Sequence, residues 1–169
     1  MSKTTMRWLT SRRAWPVFPE AWLLCGSLDL LSAVVINCLL LKKVTVLQLL
    51  QYISSGAYGS AAFQGGWYTG IAGLVFHYLI AGFFTGAYCL YAMYYPARGK
   101  TLVLHGVGYG LLVWSVMNLA VLPLSRLHTW PQWPGAITGI LVLIFLFALP
   151  MAAYTWRKLP LASRQHNGI

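Results

Sequence analysis

Ala21-Trp-Leu-Leu-Cys-Gly-Ser-Leu-Asp29-Leu-Leu-Ser-Ala-Val-Val-Ile-Asn37-Cys-Leu-Leu-Leu41 is the stretch that decides the fold. It is a run of about twenty largely apolar residues, the length at which a helix crosses a bilayer. Asp29 interrupts the run, in a chain whose only other acidic residue is Glu20. A carboxyl group in hydrocarbon costs about 2.5 to 3.5 kcal/mol on insertion scales, so such a group usually faces the inside of a helix bundle and has a partner. Asp29 is therefore the leading candidate for a functional group.

Composition sets the class. Hydrophobic residues make up 59% of the chain and charged residues 8%, where a soluble domain carries about 25% charged residues. With so few charges the surface cannot be covered by polar groups, and lipid must cover much of it. The net charge of +10 does not indicate nucleic acid, because the basic residues lie in the gaps between apolar runs. There they act as topology signals and as contacts for anionic lipid headgroups. Cys25, Cys38 and Cys89 fall within the predicted spans without a Cys-x-x-Cys pair, and are expected to be small apolar filler.

Four segments are long and apolar enough to span: about 21–41, 68–92, 102–123 and 134–156. Only helices and closed barrels satisfy their backbone in lipid, and strand-like alternation is absent. The expected fold is an all-α, polytopic membrane four-helix bundle, one transmembrane domain over 21–156 between a basic tail at 1–20 and a second tail at 157–169. Lys3, Arg7, Arg12, Arg13, Arg98, Lys100, Arg157, Lys158 and Arg164 fall on one side, against Lys42, Lys43 and Arg126 on the other. The positive-inside rule then puts both termini in the cytoplasm. Trp22, Trp67, Tyr68, Tyr94, Tyr95, Trp133 and Trp156 lie near span ends, as an aromatic belt should. Ser11-Arg-Arg-Ala-Trp-Pro before the first span is not read as a twin-arginine export signal. The run behind it contains Asp29, lacks a clear cleavage site and is long enough to span, so an uncleaved first helix is expected.

Residues 42–66 are unusual for a loop. Val44-Thr-Val-Leu-Gln-Leu-Leu-Gln-Tyr-Ile-Ser54 is mostly apolar, with Thr45, Gln48, Gln51 and Ser55 at helical spacing. This predicts an extra short helix between spans one and two, lying in the interface or re-entering the bundle. The glycines that follow, Gly56, Gly59, Gly65 and Gly66, fit either a backbone turn at membrane depth or close helix packing, and packing is favoured.

Depths follow from a rise of about 1.5 Å per residue. Asp29 lies about 12 Å in from the cytoplasmic end of span one, and His77 about 14 Å in from the outer end of span two, so both fall near the midplane of a core about 30 Å thick. An Asp29–His77 contact is the first geometric expectation. Asn37 and Asn118 lie about 24 Å from the cytoplasmic ends of their spans and form a second layer. The plain reading of these amides is interhelical glue, about 0.6 kcal/mol apiece. Ser32 and Tyr109, with Ser115 and Tyr78, are candidates to extend either layer. Haem needs two histidines at matched depth, and only His77 is central. No two His, Cys or Asp residues sit at zinc-ligand spacing on one helix. No metal or other cofactor is therefore expected.

Gly82-Phe-Phe-Thr-Gly86, Gly106-Val-Gly-Tyr-Gly110 and Gly135-Ala-Ile-Thr-Gly139 place small residues one turn apart, the pattern that lets backbones approach closely. Pro150 is expected to kink span four, Pro123 to end span three, and Pro131 and Pro134 to bracket the turn between them.

Leu49-Leu-Gln-Tyr-Ile-Ser-Ser-Gly56, Ala62-Phe-Gln-Gly-Gly66, His77-Tyr-Leu-Ile-Ala81 and Tyr109-Gly-Leu-Leu-Val-Trp-Ser-Val-Met-Asn118-Leu-Ala-Val-Leu-Pro-Leu-Ser125 resemble stretches of small four-span bacterial inner-membrane proteins to which no chemistry is assigned. The region from His77 to Leu124 is distantly similar to the YagU-like family. That resemblance implies a loose link to acid tolerance.

The chain has no Ser-His-Asp set, no phosphate-binding glycine loop and no paired catalytic carboxylates, so no enzyme is expected and no catalytic residue is assigned. Three functions remain. The first is a polar midplane site, built on Asp29 and His77 with Asn37 and Asn118, that binds or passes a small solute or protons. The second is an accessory or structural subunit, as a homo-oligomer or within a larger membrane complex. The third is a quinone- or haem-binding redox subunit.

Overall fold

The structure is a computed structural model describing residues 17–95, 97–131 and 133–158. The basic tail segments at 1–16 and 159–169, and Arg164 and His166 with them, lie outside the described residues. The fold is all-α, with four helices long and apolar enough to cross a membrane. We label them α1 (Val17–Leu40), α3 (Gly66–Tyr94), α4 (Lys100–Leu124) and α5 (Gly135–Lys158). A shorter helix, α2 (Val46–Tyr58), continues as a 3₁₀ turn over Gly59–Gln64 and stands between α1 and α3. The chain is a multi-pass membrane protein.

Neighbouring spans run antiparallel. Gly86 faces Phe18, Gly82 faces Trp22 and Gly26 faces Ala81, which sets α1 against α3. Gly106 faces Leu149, Gly110 faces Ile144 and Gly139 faces Trp114, which sets α4 against α5. The glycine pairs thus serve packing inside one chain, as small residues do where no hydrophobic force separates lipid from helix. α1 packs on both α3 and α5, and α4 packs on α5.

Three of the four spans leave α-helical geometry over part of their length. π-helical segments occupy Val35–Leu40, Val116–Val121 and Leu143–Ala148. Two of them end just before a proline, Pro123 or Pro150. A proline gives no N–H to the carbonyl four residues back and its ring crowds that carbonyl. The wider π turn moves that carbonyl aside, so the helix passes through the proline. Helix α4 continues past Pro123 to Leu124, and α5 continues through Pro150 to Lys158.

Helix α2 begins with a capping box: the Thr45 hydroxyl accepts from the Gln48 N–H, and the Gln48 side chain accepts from the Thr45 N–H. Its polar residues share one face but differ in exposure along it. Thr45 and Gln48 close the exposed N-terminus, whereas Gln51, Ser54 and Ser55 are buried. Gln51 Nε2 donates to the Gly66 carbonyl at 3.0 Å, and Thr69 Oγ1 donates to the Ala62 carbonyl at 2.6 Å, fixing the turn into α3. At the far end of α2 the Arg126 N–H donates to the Gly56 carbonyl at 3.1 Å. Helix α2 therefore bridges α3 and the end of α4. Its approach to α3 is close enough that a Cβ at Gly73 would stand 1.9 Å from the Leu50 carbonyl oxygen.

The buried core lies toward the end of the bundle where α1 starts and α5 stops. Cys25, Ala81, Phe84, Tyr88, Val113, Phe147, Met151 and Ala152 form one cluster there. Below it the Tyr154 hydroxyl donates to Glu20, and the Lys158 ammonium lies 5.9 Å from the centre of the Tyr154 ring.

Candidate functional site

The spans do not close on one another along their whole length. A cleft of about 590 Å³ runs between them from the loop end, at Leu41, Lys43 and Gly135, down to Asp29, His77 and Phe84. Each wall follows from helical periodicity. Helix α1 contributes Asp29, Ala33, Ile36 and Asn37, and α3 contributes His77, Ile80, Ala81 and Phe84. Residues three, four and seven apart share one helix face. Helix α4 adds Val113, Trp114, Met117 and Asn118, and α5 adds Thr138, Val142, Leu143 and Phe147. Helix α2 closes part of the loop end with Leu49, Tyr52 and Ile53.

Of the polar residues expected from the sequence, Asp29, Asn37, His77 and Asn118 line this cleft, and Ser115 and Tyr78 do not. Ser32 does not line it. Its hydroxyl donates to the Asp29 carbonyl at 2.6 Å, within its own helix. Tyr109 is also placed elsewhere. Its hydroxyl donates to the Phe84 carbonyl at 2.6 Å, and its ring lies 4.9 Å from that of Tyr88, inside the core beneath the cleft.

Asp29 and His77 share a wall but are not hydrogen-bonded to each other among the described residues. His77 Nε2 lies 2.9 Å from the Gly26 carbonyl oxygen. A carbonyl only accepts, so Nε2 carries the hydrogen, which leaves Nδ1 as the second ring nitrogen. The two side chains are nevertheless close enough to act on each other electrostatically. The antiparallel register puts His77 level with Gly26 and Ser27, less than one helical turn below Asp29. The same level is stitched twice more: Trp22 Nε1 donates to the Tyr78 carbonyl at 2.6 Å, and Ser27 Oγ and the Tyr78 hydroxyl share a hydrogen bond of 2.8 Å. These bonds fix α1 against α3 and hold Asp29 at the floor. Among the described residues the Asp29 carboxyl has no hydrogen-bond partner of its own.

The two asparagines have matching geometry, and they do not bridge helices. Asn37 Nδ2 donates to the Ala33 carbonyl at 2.9 Å, and Asn118 Nδ2 donates to the Trp114 carbonyl at 3.0 Å. Each amide folds back one turn on its own helix, inside a π-helical segment. All three π segments contribute to the cleft wall: Ile36 and Asn37, Met117 and Asn118, Leu143 and Phe147. π turns are rare and recur at functional sites, because the widened backbone re-aims side chains and loosens the hydrogen-bond ladder.

The floor is closed. Phe84, Val113 and Phe147 line the cleft and also belong to the buried core cluster. Below them stand Tyr88 at 1% exposure and Met151 at 0%. The cleft thus reaches from the loop end down to this buried core and stops there.

Sequence reasoning missed Trp114, Thr138, Tyr52 and Lys43 as wall residues. Trp114 had a signal, since it precedes Asn118 by one helical turn and shares its face. Thr138 was visible within Gly135-Ala-Ile-Thr-Gly139 as part of a packing motif, and Lys43 as a topology signal. Nothing local marked Tyr52, which reaches the cleft only because α2 folds onto α3. No group of three or more His, Cys, Asp or Glu residues suited to a metal occurs among the described residues. No protein-family model, curated protein or solved structure matches the chain, so function is read from its own residues.

Proposed function

We propose that this protein holds a small solute in the midplane cleft of a bacterial inner membrane, with both termini in the cytoplasm and the cleft mouth toward the opposite side. Asp29 is the principal polar contact at the floor, His77 positions the floor, and Asn37 and Asn118 offer hydrogen-bonding groups higher in the wall. One observation carries this reading. Polar residues from three separate spans converge on a single cleft of about 590 Å³, within the roughly 300–1,000 Å³ typical of small-molecule sites. A closed floor favours binding, or alternating access, over an open pore.

Native mass spectrometry tests it. Protein released from detergent should carry a small-molecule adduct, and Ala33→Trp, which fills the cleft from α1, should lose that adduct while remaining folded. An adduct of unchanged mass and occupancy in Ala33→Trp would reject the reading.

A structural role has one specific observation in its favour. The His77 bond to the Gly26 carbonyl, which ties α3 to α1, is what a purely architectural function would use. On that reading Ala33→Trp disturbs assembly with partner subunits and no adduct exists to lose.

A further inference from the structure

We propose that the occupant of the cleft is a lipophilic organic monocation, with Asp29 as its counter-charge. The proposal rests on reading the cleft as a solute site and names the class of solute. A carboxylate at membrane depth is costly unless it is paired. The Asp29 carboxyl has no hydrogen-bond partner among the described residues. Its neighbour His77 commits Nε2–H to the Gly26 carbonyl and not to the carboxylate. The carboxylate oxygens are thus open to a ligand cation.

The walls select the kind of cation. Inorganic divalent ions need about six oxygen ligands, and transition metals need clustered His, Cys or carboxylate groups. The floor offers one carboxylate, and no such cluster occurs among the described residues. A cation whose charge is spread over an organic body needs few ligands. Leu, Ile, Ala and Met side chains cover its apolar surface, and Phe84, Trp114 and Phe147 offer aromatic rings for cation–π contact. Lys43 does not oppose entry. It stands at the exposed rim, and the twelve-residue rise from Asp29 to Leu41 alone separates rim from floor by about 18 Å, beyond the Debye length of about 8–10 Å at the hydrated mouth.

The test uses the full chain in detergent, with tetraphenylphosphonium as the probe and the same-shaped anion tetraphenylborate and neutral triphenylphosphine oxide as comparators. Binding is followed by quenching of tryptophan fluorescence, since Trp114 lines the cleft, and by calorimetry. The unmodified protein should bind the phosphonium saturably and at least tenfold more tightly than either comparator. Asp29→Asn should weaken phosphonium binding at least tenfold and leave the neutral probe unchanged. Equal binding of cation and anion, or full phosphonium binding by Asp29→Asn, overturns the proposal. Tight binding of the neutral probe alone also overturns it, yet leaves the cleft a solute site. Should Asp29→Asn fail to fold, the preference of the unmodified protein for cation over anion decides alone. If no probe binds while the native adduct persists, the monocation is wrong and the solute site stands. If neither binds nor persists, both fall.

Discussion

Replacing Gly73 with alanine puts a Cβ 1.9 Å from the Leu50 carbonyl oxygen and 2.8 Å from its carbonyl carbon. Both are backbone atoms, so no rotamer change relieves the clash. Helix α2 must retreat by roughly 1.5 Å to restore van der Waals separation. That movement strains the Gln51 bonds to the Gly66 carbonyl (3.0 Å) and to Thr69 Oγ1 (3.4 Å). Overpacking costs about 1–3 kcal/mol, and each lost intramembrane hydrogen bond adds about 0.6 kcal/mol. The total, about 2–4 kcal/mol, should lower Tm by about 5–10 °C for a chain of this length. Two comparisons isolate the cause. Gly70→Ala meets Leu47 Cδ1 at 2.8 Å, the tip of a side chain, so Leu47→Ala should rescue it, whereas no truncation at Leu50 should rescue Gly73→Ala. Gly108→Ala has nothing within 4 Å and should be neutral or stabilising by up to about 1 kcal/mol, because alanine is the better helix former. Thermal unfolding in detergent, followed by circular dichroism, measures each of them. Equal melting of Gly73→Ala and Gly108→Ala would refute the packing of α2 on α3.

Further outcomes follow from the same geometry. Asp29→Asn removes no protein hydrogen bond, so the variant should insert and melt no lower than the unmodified protein; a large drop in Tm would assign Asp29 a structural partner. Trp22→Phe deletes the Nε1 bond to the Tyr78 carbonyl and should cost about 0.5–1 kcal/mol, read as a lower Tm, while Tyr154→Phe at the membrane edge should change Tm little. Cys25 and Cys89 are buried, so maleimide in intact membranes should leave both unmodified, checked by peptide mass spectrometry. Alkaline phosphatase fused after His128 should be active and the same enzyme fused after Lys158 inactive; the reverse pattern would invert the proposed orientation.

The sequence by itself determined the class, the spans and their depths. Apolar runs of fixed length and scarce charge are properties of the chain alone, and a helix converts residue number into depth with no knowledge of its neighbours. That is why Asp29 and His77 were placed near the same level, and Asn37 and Asn118 near another. The short helix before α3 was legible for the same reason, although its polar residues divided between an exposed cap and buried bonds once α3 packed against it at Leu50 and Gln51. Tertiary structure alone decided which face each helix turns to which neighbour. Ser32 and Tyr109 have suitable depths, yet one bonds its own helix and the other fills the core, because rotation about a helix axis is set by packing partners. The glycine pairs that bring α4 onto α5 and the backbone contact at Gly73 depend on atoms far apart in sequence. Depth is local arithmetic, whereas a cleft exists only when several helices have chosen their faces together.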